Sequence, residues 1–358
     1  MKLPHRAGAL PAHCRGFSLL EMSVVIAIVS IIAVMGLEAT SIYLGRTAYT
    51  STRDKIAAID QALRNYYRIT GRLPCPANRT QAESYSAGTT YGFEDCAPTS
   101  SIFTGGVVAV GVKAGGTGYS GSGVTFNNTG TGGSGASATY TQSGGIITAG
   151  TVTVAGSGYY REPTLTANTG GSGAQLVAGT NALYFGSIPT AELGLPVSAG
   201  LDAYGVRINY VVTQGLTNAY SFNGTNGNIE VRSGLLKQPC SGTCDVLADP
   251  TASPSNGAAY FVFSSGANQR GGVNRNGTGV VSSSNPVLNC LSTPTTTSFD
   301  LAIDSQNCAA ISGSGLDTAS IGGTIPFNVF YDSRFNTGSG VEANIFDDIV
   351  VWRTKGQL

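Results

Sequence analysis

From Phe17 to Leu37 the chain is apolar except for Ser18, Ser23, Ser30 and one carboxylate, Glu21. As a helix rising 1.5 Å per residue this run is roughly 30 Å long, the thickness of a bilayer's hydrocarbon core. The pattern then changes period without losing its helical character. Ile56, Ile59, Leu63 and Tyr66 recur at spacings of three and four, with Arg53, Asp54, Asp60, Gln61, Arg64 and Asn65 between them. That spacing predicts an amphipathic helix with one packed stripe and its polar positions in water. Gly71, Pro74 and Pro76 mark its end, so one long helix is expected over 17–70. Gly36 and Gly45 each weaken it by about 0.5–1 kcal/mol relative to alanine, and two separate helices remain the alternative.

Beyond Arg72 the pattern becomes that of strands and turns. Residues 105–180 hold 21 glycines and only three charged side chains, Lys113, Arg161 and Glu162. They also repeat. Gly116-Thr117-Gly118-Tyr119 returns as Gly156-Ser157-Gly158-Tyr159, and Gly132-Gly133-Ser134-Gly135-Ala136 as Gly170-Gly171-Ser172-Gly173-Ala174, a period of 38–40 residues. Alternating runs such as Thr151–Val154 read as strands, so the tract is expected to be an inserted β module, with a flexible linker as the alternative. Gly116, Gly118 and Gly121 spell GxGxxG without the strand-loop-helix context of a nucleotide site. Further on, Val206, Ile208, Tyr210 and Val212 alternate with Arg207, Asn209 and Val211, predicting a strand with one buried face. Other strands are expected at Asn228–Val231, Ala259–Phe263, Ser298–Ile303 and Asp348–Trp352, arranged as an antiparallel meander with the helix on one face.

Composition narrows the chemistry. Only 11% of the 358 residues are charged against 50 glycines, which suggests a β-rich exported protein. Without a leader holding Lys2, Arg6 and Arg15, the chain keeps 17 basic against 20 acidic residues, so no basic surface recruits nucleic acid. Both histidines, His5 and His13, precede the apolar run. A chain cut before that run lacks a histidine base, a Ser-His or Cys-His pair and a histidine-liganded zinc, and no cofactor is expected. Cys75, Cys96, Cys240, Cys244, Cys290 and Cys308 form an even set, read as disulfides between nearest neighbours. Calcium near the C-terminus would draw on Glu342, Asp347 and Asp348. Adjacent Asp347 and Asp348 would point to opposite faces of a strand, so these acids read as solvated edge charges and no metal is expected.

An acid inside an apolar run is costly and persists where it has a partner or a role. The basic leader, then Gly16, Phe17 and Glu21 opening an apolar helix, resembles the cleavage segment of type IV pilins and pseudopilins. The resemblance implies cleavage between Gly16 and Phe17 by a prepilin peptidase, N-methylation of Phe17, and a role for Glu21 in filament docking. It also implies other pilin subunits and an inner-membrane assembly platform as partners. The stretch from Gly186 to Val212, with Gly-Leu-Pro and Asp202-Ala203-Tyr204-Gly205 before a strand, is similar to the head of a pilin-like subfamily. The Gly-rich repeats look like those of phage tail fibres and bacterial surface adhesins.

The expected fold is therefore α+β: a leader (1–16), a long N-terminal helix (17–70) with a transmembrane part (17–37), and an antiparallel sheet head (71–104 and 181–358) interrupted by the Gly-rich insert (105–180). The expected function is that of a non-enzymatic filament subunit, a minor or tip pilin. It would wait in the inner membrane with its head in the periplasm and then enter a pilus or pseudopilus. A minor pseudopilin of a type II secretion system is the alternative. A membrane-anchored carbohydrate-binding domain, supported by an exposed aromatic pair at Tyr159 and Tyr160, is the second.

Overall fold

The computed structural model describes residues 19–83, 90–97, 103–233, 246–267, 269, 271–279, 307, 328–332, 336–337, 345–346 and 348–358, without the side chains of 35–39, 41–42, 336–337 and 345–346. The chain divides into two units, Met1–Thr47 and Ala48–Leu358. One helix, α1 (Leu19–Thr70), runs without a break through Gly36 and Gly45. It ends where Gly71 donates its N–H to the Tyr67 carbonyl at 2.8 Å, the usual closure of a last helical turn.

In the second unit, residues 107–180 form six strands: β1 (Val107–Thr117), β2 (Val124–Asn127), β3 (Ser137–Ser143), β4 (Ile146–Val154), β5 (Thr164–Ala167) and β6 (Ser172–Thr180). They pair in the order β1-β6-β5-β2, with β3 and β4 as a hairpin. Backbone bonds from Val107 N–H to the Ala155 carbonyl and from Tyr140 N–H to the Ser122 carbonyl tie the hairpin's edges to that sheet. Gly144 and Gly145 supply the hairpin turn with positive φ at both positions (59° and 82°), which favours glycine. Val107, Tyr119, Tyr140, Ile147, Tyr159, Leu165, Leu176 and Ala178 fill the interior as a separate apolar cluster.

The sequence repeat explains how so glycine-rich a tract packs. Tyr119 of the first repeat lies against Gly171 of the second, and Tyr159 of the second lies against Gly133 of the first. A Cβ on Gly171 would sit 2.5 Å from the Tyr119 ring. Each repeat therefore provides an aromatic plug and a glycine seat, and each plug fills the other repeat's seat. Three of the four ladders follow the same rule, since β1 pairs with β6, β2 with β5 and β3 with β4 across the two repeats, and β5 with β6 pairs within the second.

The remaining strands are β7 (Leu183–Ser187), β8 (Asn209–Thr213), β9 (Glu230–Ser233), β10 (Val246–Ala248), β11 (Ala258–Ser264), β12 (Val329–Asp332), β13 (Asn336–Thr337), β14 (Ile345–Phe346) and β15 (Ile349–Thr354). An antiparallel sheet, β15-β11-β8-β7, forms the centre. On one face Ile56, Ile59 and Leu63 of α1 pack with Tyr184, Ile208, Tyr210, Val212, Tyr260 and Val262. Against the other face, Val211, Phe261 and Phe263 meet Val231 and Phe330 of a second sheet, β10-β9-β12.

This three-layer arrangement corrects two expectations. The strand through Tyr210 was expected to bury one face, yet every residue of β8 is buried, because the second sheet covers what the alternation assigns to solvent. Arg207 is also buried, its guanidinium over the Tyr91 ring and donating to the carbonyls of Arg79, Gln81 and Arg275. The meander is not wholly antiparallel either, since β12 runs parallel to β9. The strand expected at Ser298–Ile303 lies outside the described residues.

Asp60, expected on the wet side of α1, is only 3% exposed. Its Oδ1 accepts from the Tyr260 hydroxyl at 2.6 Å and from Arg353 Nε at 3.0 Å, and Oδ2 accepts from Arg353 Nη2 at 2.9 Å. Arg64, one turn along the helix, completes the group at 3.2 Å. Around Ala203 the backbone docks on the same helix: its N–H reaches Thr52 Oγ1 at 3.0 Å, and Lys55 Nζ donates to the Leu201 carbonyl. Asp202 shapes that turn by accepting from the N–H groups of Tyr204 and Val206 and from the Ser264 hydroxyl.

Burial alone would raise the Asp60 pKa, but the hydrogen bonds from Arg353 and Tyr260 and the charges of Arg353 and Arg64 hold it below the usual carboxylate value. A depressed folded pKa contributes stability above the unfolded value of about 3.9, and that contribution is lost as pH falls through the folded value. Asp60→Ala is therefore expected to cost about 2–4 kcal/mol at pH 7, through loss of the charge-assisted bonds from the partly exposed Arg353 and Arg64 and through the buried Tyr260 hydroxyl left without its acceptor. The part of the deficit that comes from the charge should shrink in urea melts as pH falls below the unfolded value of about 3.9. Gly171→Ala should destabilise by about 1–3 kcal/mol through overlap with Tyr119. Gly45→Ala, with open space around its Cβ, should stabilise α1 by up to about 1 kcal/mol; thermal melts of the two variants give the contrast.

Candidate assembly site

The first half of α1 has the composition of a core helix and the exposure of a surface one. Leu19 is 91% exposed and Ile32 63%, and Leu20, Val25, Ile26, Ile28, Val29, Ile31 and Val34 are exposed as well, with no polar face among them. A helix apolar all round is stable when something apolar surrounds it. The hydroxyls in the run do not change this, because Ser23 Oγ donates to the Leu20 carbonyl at 2.8 Å and Ser30 Oγ to the Ile26 carbonyl at 2.6 Å. Bonded back to their own helix, they present little polarity to a neighbour.

Glu21 lies in the first turn of the described helix and is exposed. A carboxylate there interacts favourably with the positive end of the helix dipole. Gly16 and Phe17 lie outside the described residues. Among the described residues no helix is long and apolar enough to cross a membrane. The run expected to span, Phe17–Leu37, includes residues 17, 18 and 35–37, whose side chains lie outside the description.

Residues 11–37 match the prokaryotic N-terminal methylation motif. The chain carries a type IV prepilin signature. Neither a curated protein nor a solved structure matches the chain. The prepilin motif implies a membrane-anchored precursor, processing by a prepilin peptidase and assembly with other pilins. It supports a structural role of the type IV pilin or pseudopilin kind.

Elsewhere the expected site residues separate. Cys75 and Cys96 are bonded, with Cα atoms 5.2 Å apart, whereas Cys240, Cys244, Cys290 and Cys308 lie outside the described residues. Cys75, Glu94 and Cys96 are the one group among the described residues close enough to hold a metal. Both sulfurs are committed to each other, and the Glu94 carboxylate takes two bonds from Arg72, at 2.8 and 2.5 Å, and one from Cys75 N–H, so the group has no ligand set to offer. Of the calcium candidates, Glu342 and Asp347 are outside the described residues. Asp348 is not a solvated edge charge: it is buried, and its Oδ2 accepts from Asn307 Nδ2 at 2.9 Å. The aromatic pair also resolves differently from expectation, since Tyr159 is wholly buried and Tyr160 half-buried.

A chain lacking residues 1–47 should fractionate as a soluble protein, because it keeps the helical stripe that fills the head's core and loses the exposed apolar one. The full chain should stay with membranes after a high-salt wash. Membrane retention of the shortened chain would place the anchor elsewhere.

Proposed function

We propose that this chain is a minor or tip subunit of a type IV pilus-like filament. The observation that carries the reading is the coincidence of the prepilin motif at 11–37 with the part of α1 whose apolar side chains are exposed all round, while a later apolar stripe of the same helix is the spine of a folded head. In this reading the peptidase cuts between Gly16 and Phe17, Phe17 is N-methylated, and Phe17–Leu37 holds the subunit in the inner membrane with its head in the periplasm. Glu21 then guides docking among neighbouring apolar helices, where its charge requires a counter-charge. The new amine of Phe17, about one helical turn away, supplies it.

The size of the head favours a minor over a major subunit, since a major subunit must repeat densely along the fibre. The tract 105–180 serves as an inserted adhesive or spacer module, and its strand pairing suits a stiff one. An anchored carbohydrate-binding domain loses its support with the burial of Tyr159. A mature chain without histidine fits a role without catalysis.

Mass spectrometry of the protein from its native membrane or from sheared filaments should find N-methylated Phe17 as the first residue. Loss of piliation on deleting the gene is the expected phenotype, whereas loss of enzyme secretion would move the chain to a type II secretion system. A chain that retains residues 1–16 in cells with active peptidase overturns both.

A further inference from the structure

The Gly-rich module joins the head at two chain crossings, 103–107 on the way in and 180–183 on the way out. They lie side by side, because Asn181 donates its N–H to the Gly106 carbonyl at 3.1 Å and Leu183 donates its own to the Phe103 carbonyl at 3.0 Å. Two adjacent crossings make a hinge unless something else spans the joint, and units with separate cores move relative to each other by default. Among the described residues the module's apolar cluster is separate from the two of the head, so a shared core does not hold it.

Polar side chains span the joint instead. Of the three charged residues in 105–180 two are adjacent, Arg161 and Glu162, and both reach the head. Arg161 Nη2 donates to the Ala97 carbonyl at 2.9 Å, while Glu162 Oε2 accepts from the Tyr184 hydroxyl at 3.0 Å and from Gln214 Nε2 at 2.9 Å. Gln214 is buried and serves as the hub. Its Oε1 accepts from the N–H and the hydroxyl of Thr180 at 2.7 and 2.8 Å, and its own N–H donates to the Ala182 carbonyl at 2.8 Å. One amide side chain thus holds both the strand that leaves the module and a carboxylate from the connection between β4 and β5. Beside it, β1 and β6 lie directly on the head's short helix Ala219–Phe222: a Cβ on Gly111 would overlap the Tyr220 carbonyl, and one on Gly179 would sit 2.7 Å from Ser221 Cβ. Lys355 Nζ braces that helix by donating to the carbonyls of Phe222, Asn223 and Thr225 at 2.8–2.9 Å.

We propose that Glu162 and Gln214 lock the module to the head, so that the two move as one body and the module is presented in a single orientation. Opening the joint would part the Tyr184 hydroxyl, the Gln214 amide and the Thr180 hydroxyl from their partners together, and a polar network satisfied only across an interface resists partial opening. The lock stands on contacts inside the folded unit and does not depend on the filament reading. Within that reading, a module already held in place meets its partner without first being ordered.

Double electron–electron resonance on the detergent-solubilised full chain tests it, with spin labels carried by non-natural residues at Asn65 of α1 and Thr129 of the module, both exposed. The parent chain should give one narrow distance distribution. Glu162→Ala, which removes the acceptor from both Tyr184 and Gln214, should broaden it, and Glu162→Gln, which keeps an acceptor, should leave it narrow. Gly111→Val loosens the joint by another route, overlap with the Tyr220 carbonyl, and covers the case in which Glu162→Ala fails to fold. A label pair inside the module, Thr129 with Ala149, should stay narrow in every variant, which separates an opened joint from an unfolded module. A broad distribution in the parent chain, one left unchanged in folded Glu162→Ala or Gly111→Val, or one broadened equally by Glu162→Gln overturns the assignment.

Discussion

The head depends on one buried carboxylate on a helix. Asp60 sits among apolar side chains of α1 and reaches Tyr260 in the middle of the central sheet and Arg353 in its edge strand, so a single charge fixes the helix against two strands at once. Apolar burial of Ile59 and Leu63, at about 1.5–3 kcal/mol each, supplies more stabilisation but no register, because the hydrophobic effect is non-directional. The carboxylate supplies the direction. Its burial is tolerable because each oxygen is bonded and the guanidinium groups remain partly in water, which avoids most of the cost of a dry ion pair.

The same helix shows where local sequence is informative and where it stops. Its existence, its length and its end at Thr70 follow from the 3.6-residue period and from Gly71 with Pro74 and Pro76, all within a few residues of each other. The burial of Asp60 was not legible, because Tyr260 and Arg353 lie 200 and 293 residues away and nothing near Asp60 announces them. Arg207 was misread for a related reason: alternation reports one covered face, whereas the face assigned to water is closed by loops carrying the carbonyls of Arg79, Gln81 and Arg275. Glu162 gave a weak signal as one of three charges in a long neutral tract, but Tyr184 and Gln214 could be assigned to it only in three dimensions.

The Gly-rich tract is the opposite case, in which low complexity concealed a specific rule. Composition made strands and a linker comparable choices, because glycine permits both. What decides is the pairing of each tyrosine with a glycine of the other repeat, Tyr119 with Gly171 and Tyr159 with Gly133, where a ring fits only because the seat has no Cβ. Neither repeat can meet this requirement alone, and the ladders between β1 and β6 and between β3 and β4 add a second dependence. Two copies are thus the smallest unit that closes its own interior. The period of 38–40 residues was visible; its consequence, that similar halves face each other, requires the register.

Apolar side chains in α1 consequently answer two different demands. Around Ile56, Ile59 and Leu63 they occupy one stripe and the head provides their partner, so the sequence alternates in helical period and the fold is complete. From Leu19 to Val34 they cover the circumference, and a helix of that kind has no stable state in water as an isolated rod. In the reading we propose, lipid satisfies it in the precursor and neighbouring helices of the same kind satisfy it in the filament. Between these two surroundings the apolar side chains have little preference, because packed helices are as apolar as lipid tails. In the filament we propose, discrimination falls to the one charged residue among the described residues of the run, Glu21, because a carboxylate distinguishes lipid from a counter-charge.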